Sequence, residues 1–393
     1  MSEMERERYK LFLVIFLGLI FGFGPFLTDM YLPAFPVLQR FFGTDMSTVQ
    51  MSLSACMLGL AAGQIIWGPL SDRYGRKPIT MLSLVIFATS CVGCIFAPSM
   101  GFLIFMRLLQ GIGGSGGIVL SRSIATDLYS GRDLAKMMAI IGAVNGIAPV
   151  TAPVVGGILT DSIGWRGIFV VLLVIGLVLI CLCSGFRESL PLEKRSEGGI
   201  VNAFKDYRTL LRNKRYVWCI MQYGFLHGMF FSYLSSSPFI IQEHYGFSAT
   251  GYSILFAVNA TTVGVASALS MKFRTPARCT FLASTALMTL SIAVALSLSF
   301  DGPVWIYEIC TLLQVFCCGL CFASTPAMTM DIERKRAGAA AAFLGVCTYA
   351  FGCIVTPLVS LGNTMVTTGI IYVASSVAAF NFAFMLNRQS RME

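Results

Sequence analysis

Several ionisable and amide side chains stand inside long apolar runs of this chain, where any side chain that prefers water needs a reason. Asp29 closes the apolar stretch that begins near residue 11, Arg107 sits inside another, and His227 and Glu308 fall within two more. Asn145, Gln222, Asn259 and Gln314 are spaced among them. A carboxyl with little water around it can hold a proton and give it up when a cationic or bulky partner arrives. A guanidinium in such a place costs about 3 kcal/mol or more unless it meets a partner or a water-filled cavity. The chemistry these types allow is therefore proton exchange at depth. Bond-making chemistry has no constellation: there are two His, and no H-E-x-x-H or phosphate-cradling loop with a lysine occurs. We expect no catalytic residues, no enzyme activity, no cofactor and no metal. Thirteen Cys fall mostly inside apolar runs, as at Cys181, Cys183, Cys317, Cys318 and Cys321, and are read as small packing residues.

Composition names the elements that must hold such residues. Of 393 residues, 56% are hydrophobic and 12% charged, against about 25% charged in a soluble domain. The mean hydropathy is +0.76. So few charges cannot cover a water-soluble surface, whereas a bilayer solvates apolar side chains directly. Apolar runs of the length that spans a bilayer, about 20 residues, are expected near 11–33, 47–70, 79–97, 101–122, 137–160 and 167–185, then near 216–238, 249–271, 279–299, 304–326, 338–361 and 366–386. The expected fold is an all-α polytopic membrane protein of about twelve helices. The first run lacks a small-residue cleavage site and is taken as a retained helix.

The net charge of +9 comes without a basic stripe interleaved with aromatics, so nucleic acid is not an expected partner. Of the 28 Lys and Arg, 25 fall in segments that share one side when both termini are cytoplasmic, leaving Arg40, Arg107 and Arg166. The positive-inside rule then places both termini in the cytoplasm of a multi-pass protein of the cell (inner) membrane. The longest hydrophilic stretch, 186–215, divides the chain into residues 1–185 and 216–393, each long enough for a six-helix bundle. At a shift of about 204 residues Pro33 meets Pro238, Asp127 meets Asp331, and Pro153 meets Pro357, as expected of a duplicated unit with pseudo-symmetry.

Residues 68–77 read GPLSDRYGRK. Gly75 permits a tight reversal and Asp72 can accept from a helix N-terminus or a nearby Arg. With Gly68, Arg73, Arg76 and Lys77 it resembles the G-x-L-[AS]-D-R-x-G-R-[KR] loop of the major facilitator superfamily, which implies a cytoplasmic latch between two bundles. The corresponding loop in the second half, 272–278, keeps three basic residues and no acid, so a symmetric latch is not expected. Arg107 opens a run similar to the family's R-x-x-Q-G motif, which implies a part in proton coupling. The fifth helix carries Gly142, Asn145, Gly146, Pro149, Pro153, Gly156 and Gly157. Two prolines should bend it and the glycines admit a close neighbour. It resembles the G-P-x-x-G-G antiporter signature, with Ala152 in place of the first Gly. Residues 29–36, DMYLPAFP, are similar to the run that ends the first helix in the Bcr/CflA group of drug-resistance transporters.

The resemblance implies alternating access about a central cavity, with protons and a small molecule as ligands, lipid as surroundings and a monomer as the working unit. Asp29 is then the proton carrier, with Arg107 tuning it. Tyr31, Asn145, Gln222, His227, Asn259, Glu308 and Gln314 are expected on the cavity wall, with aromatic surface from Phe225, Phe230, Phe231 and Tyr233. Export of small amphipathic compounds is the expected direction; an uptake symporter of the same fold is the alternative. The charges Asp29, Asp72 and Arg107 all fall in the first half, where coupling is expected to concentrate.

Overall fold

A computed structural model describes residues 3–195, 207–333 and 337–390. Its elements are helical throughout, and among the described residues there is no strand. Among the described residues, eleven helices are long and apolar enough to cross a membrane. Lys214–Phe239, the expected seventh, is 26 residues long but buries Gln222, His227, Ser232, Ser235, Ser236 and Ser237. Its polar groups face protein, so apolarity all round is not required of it. With this helix the spans number twelve.

The first span is broken: Glu3–Phe21, Phe23–Thr28, a 3-10 segment Asp29–Ala34 and Phe35–Phe42. The second to sixth are Met46–Tyr74, Arg76–Ile95, Met100–Leu128, Gly131–Ile163 and Trp165–Gly185; the eighth to twelfth are Ala249–Leu269, Pro276–Ser299, Val304–Ile332, Ala337–Val355 and Thr364–Ser390. Several overrun the expected bounds because hydropathy stops at the first charge while the helix does not. Their starts are set by side-chain caps: Asp45 accepts from Thr48 N, Ser99 from Phe102 N, Ser248 from Gly251 N and Thr275 from Arg278 N.

Helix pairing repeats between the halves. In the first six helices the second packs on the fourth, the third on the fourth and sixth, and the first on the fourth, fifth and sixth. Adding six to each number gives the pairs of the second half: eighth on tenth, ninth on tenth and twelfth, and seventh on tenth, eleventh and twelfth. Across the halves the fifth helix meets the eighth and the eleventh meets the second, which the same rule interchanges. These pairings make two pseudo-symmetric bundles. Apolar stripes lie on the outside: Val170, Val174, Leu177 and Val178 on the sixth helix and Ile306, Ile309 and Leu313 on the tenth are exposed at helical spacing.

The prolines aligned by the repeat do related but unequal work. Pro33 lies in the 3-10 segment of the first span, and the seventh helix turns into a π segment, Ile240–His244, just after Pro238. Pro357 lies in the 3-10 segment Thr356–Ser360, whereas Pro153 sits within a continuous fifth helix. Glu197, Gly198 and Gly199 of the hydrophilic stretch, and the basic cluster at 334–336, lie outside the described residues.

Candidate functional site

Between the two bundles is a cavity of about 840 Å³, lined from the first, second, fourth, fifth, seventh, eighth, tenth and eleventh helices. Its deep end holds Thr28, Asp29, Tyr233 and Asn259, and its mouth holds Arg122, Ser267, Pro326 and Gly345. Glu3 and Ser390 share one side, because an even number of spans returns the chain to the side it started from, and Arg122, Ser267 and Pro326 lie near the ends of their helices that reach that side. The opposite side is closed by contacts between bundles. Gln50 Nε2 donates to Ser235 O at 3.1 Å, and Gln242 Nε2 donates to Pro33 O at 3.2 Å. Thr250 N and Oγ1 donate to Asp161 Oδ2 at 3.0 and 2.7 Å, and Phe35 lies against Phe239.

The break in the first span puts Asp29 where it is. Asp29 is 7% exposed, lines the cavity and accepts from Thr28 Oγ1 at 2.7 Å. A 3-10 segment gives up α-helical hydrogen bonds, and the carbonyl of Leu27, just before it, is taken by Arg107 Nη2 at 2.9 Å. Arg107 is fully buried. Its Nη1 donates to Gln110 Oε1 at 2.5 Å, and its guanidinium lies 4.3 Å from the centre of the Tyr31 ring. Tyr31 OH in turn meets Ser52 Oγ at 2.9 Å. Arg107 thus holds the backbone turn that presents Asp29; no ion pair joins the two among the described residues. Tyr31, expected on the cavity wall, lies behind it as the ring under Arg107. The residue sequence placed beside the substrate is spent on burying a charge.

Of the other expected wall residues, His227 and Asn259 line the cavity. His227 Nδ1 donates to Tyr223 O at 2.9 Å, and the ring lies 4.5 Å from that of Phe322, which leaves Nε2 for the cavity. Gln222, Gln314 and Glu308 are not on the wall; each is buried behind it. Gln222 accepts from Thr325 Oγ1 at 2.8 Å, and Gln314 Nε2 donates to Ser291 Oγ at 2.9 Å. Both bind the tenth helix to its neighbours. Glu308 Oε1 accepts from Asn259 Nδ2 at 2.7 Å. The side chain of Asn145 lies outside the described residues. Phe230, Phe231 and Tyr233 line the cavity, while Phe225 packs on Phe351 and Phe382.

The fifth helix divides its labour along its length. Gly142, Gly146 and Pro149 line the cavity, and further on Gly156 and Gly157 lie at the closed end. A β-carbon at Gly156 would collide with the Met30 carbonyl, and one at Gly157 would stand 2.8 Å from Ala249 O. The glycines therefore let one helix touch both the first span and the eighth helix of the other bundle.

The 68–77 loop is a cross-tie. Gly75 turns at φ +102°, a value a side chain resists. Arg76 bonds Asp72 Oδ1 at 2.5 Å, Asp127 Oδ2 at 2.8 Å and Ser71 Oγ at 2.6 Å. Glu188 accepts from Arg76 N and Lys77 N at 2.9 and 3.1 Å, capping the third helix, and Lys77 Nζ donates to Ser184 O. Arg73 lies over Tyr74, and Gly68 approaches Val119. These partners belong to the first six helices and the segment after them. In this arrangement the expected latch binds its own bundle, and Asp72, 47% exposed, forms no ion pair with the other among the described residues.

Sequence reasoning missed Arg122. The apolar run that predicts the fourth span stops at residue 122, yet the fourth helix runs to Leu128 and brings Arg122 to the cavity wall, 4.8 Å from the Phe21 ring centre. Gln64, Phe322 and Tyr349 were missed as well; each reads as an ordinary core residue until the bundles are docked.

Twelve spans paired by a six-helix repeat, around a cavity open to one side, define a membrane carrier. The chain belongs to the Major Facilitator Superfamily, whose model matches residues 13–357. It is 36% identical over 361 residues to the uncharacterized MFS-type transporter YdgK of Bacillus subtilis, covering 90% of each chain. It is also 27% identical over 406 residues to the bicyclomycin resistance protein homolog of Haemophilus influenzae, covering 99% of this chain and 100% of that one. The fold is that of the E. coli xylose transporter XylE in its partially occluded inward open conformation, with a TM-score of 0.76 at 14% identity over 96% and 98% of the two chains.

Proposed function

We propose that this protein exports small amphipathic compounds in exchange for protons, by rocking of residues 1–185 against residues 216–393. The observation that carries the reading is Asp29: a buried carboxyl at the closed end of the cavity, bonded to the neutral hydroxyl of Thr28 and in no ion pair among the described residues. Such a group can take a proton or a cation, and the two compete. The cavity around it falls in the drug-sized range of about 300–1,000 Å³, and its aromatic wall suits flat apolar compounds. The relative named for bicyclomycin resistance supports export.

With both termini in the cytoplasm the cavity is open inward, ready to collect cargo. Outward opening then separates the pairs Gln50–Ser235 and Asp161–Thr250, and closure of the mouth brings the Asp72 cluster against the second bundle. Expression in an exporter-deficient bacterial host tests the direction: tolerance of hydrophobic cations should rise, and a protonophore should cancel the gain. Increased accumulation of a small metabolite with no change in tolerance would favour the uptake symporter instead.

A further inference from the structure

The second bundle holds a buried polar cluster for which Asp29 and its cavity have no use. Glu308, on the tenth helix, is 8% exposed. Its Oε1 accepts from Asn259 Nδ2 at 2.7 Å, and the same amide nitrogen donates to Tyr233 OH at 3.0 Å. Its Oε2 has no partner, and neither has Asn259 Oδ1. Beside them the hydroxyls of Tyr307, Thr311 and Tyr372 are fully buried, and none makes a well-formed hydrogen bond. Thr311 stands one turn along the helix from Glu308. The titratable groups that face Glu308 are phenols: Tyr233 from the seventh helix, Tyr252 from the eighth, Tyr307 from its own and Tyr372 from the twelfth. Asn259 and Tyr233 both line the cavity, so the cluster has a front door.

A buried carboxylate with one oxygen bare is costly, and so is each bare hydroxyl. A proton added to Oε2 removes the buried charge and turns a bare acceptor into an O–H donor. We propose that Glu308 is a second proton-binding site, in the bundle that lacks Asp29, with Asn259 as the positioning residue that links it to cargo in the cavity. The proton comes from cavity water and returns there, with no other bond made or broken. This inference rests on the proton-coupled reading above and places one carboxyl in each bundle.

Infrared difference spectroscopy on the whole protein in lipid vesicles, stepping between about pH 5 and pH 9, reads the proton directly through the C=O stretch of protonated carboxyls. The Asp29→Asn variant should lose one part of that band, and Glu308→Gln added to it should remove a further part. Identical spectra for the single and double variants would overturn the proposal. If Glu308→Gln fails to fold, Asn259→Val serves: it keeps the acid but removes the N–H that favours the ionised form, so the Glu308 band should shift and titrate at higher pH. An unmoved band would count against the proposal. Spectra should also be the same in sodium and potassium; a band that sodium abolishes would assign the cluster to a metal cation and overturn it too. Efflux measured on the same vesicles separates the two readings, because a Glu308 band without gradient-driven efflux sinks export and leaves this site standing.

Discussion

Arg107 is a fully buried charge that meets an amide oxygen, a carbonyl oxygen and an aromatic face. Such a site depends on the planar fork of a guanidinium, which a lysine cannot reproduce. Arg107→Lys should lose at least one charge-assisted hydrogen bond, about 1.5–3 kcal/mol, and lower the melting temperature of the detergent-solubilised protein together with its efflux rate; unchanged melting would show that the fork does not hold the turn. Sequence found Asp29 and Arg107 because a charge in an apolar run is conspicuous. It misplaced Tyr31, Gln222, Gln314 and Glu308, because which face of a helix meets the cavity depends on how the bundles dock. Arg122 was hidden for the opposite reason, being so near the end of an apolar run that it looked like loop.

At the scale of elements, the fifth helix runs from the cavity, at Gly142, Gly146 and Pro149, to the closed end, at Gly156 and Gly157. Gly156→Val would push the fifth helix off the Met30 backbone. Overpacking of that kind costs about 1–3 kcal/mol, so efflux should fall about tenfold while the protein still reaches the membrane; full activity would show that this contact is not needed in the cycle. The helices themselves were legible from apolar run length, and the duplicated unit from Pro33 and Pro238, each of which marks a break. The 3-10 segment after Thr28 was not legible beyond its proline, since its cause is a carbonyl captured by an arginine 80 residues away.

For the molecule as a whole, the repeat of pairings from first to second half is the architecture that the proposed rocking needs. The charge pattern predicts its orientation: a fluorescent protein fused after residue 393 should glow and a periplasmic phosphatase fused there should stay inactive, the reverse pattern contradicting cytoplasmic termini. The halves are related but chemically unequal, with Asp29 facing the cavity directly and Glu308 one residue behind it. The central claim is that the Asp29 carboxyl exchanges proton for cargo. It is tested most directly in everted membrane vesicles energised by an acid interior, by following uptake of a fluorescent hydrophobic cation such as ethidium. Wild-type protein should accumulate the dye and lose it when the gradient is collapsed, and Asp29→Asn, present in the membrane at equal level, should show no gradient-driven uptake. Undiminished gradient-driven uptake by Asp29→Asn would contradict the account.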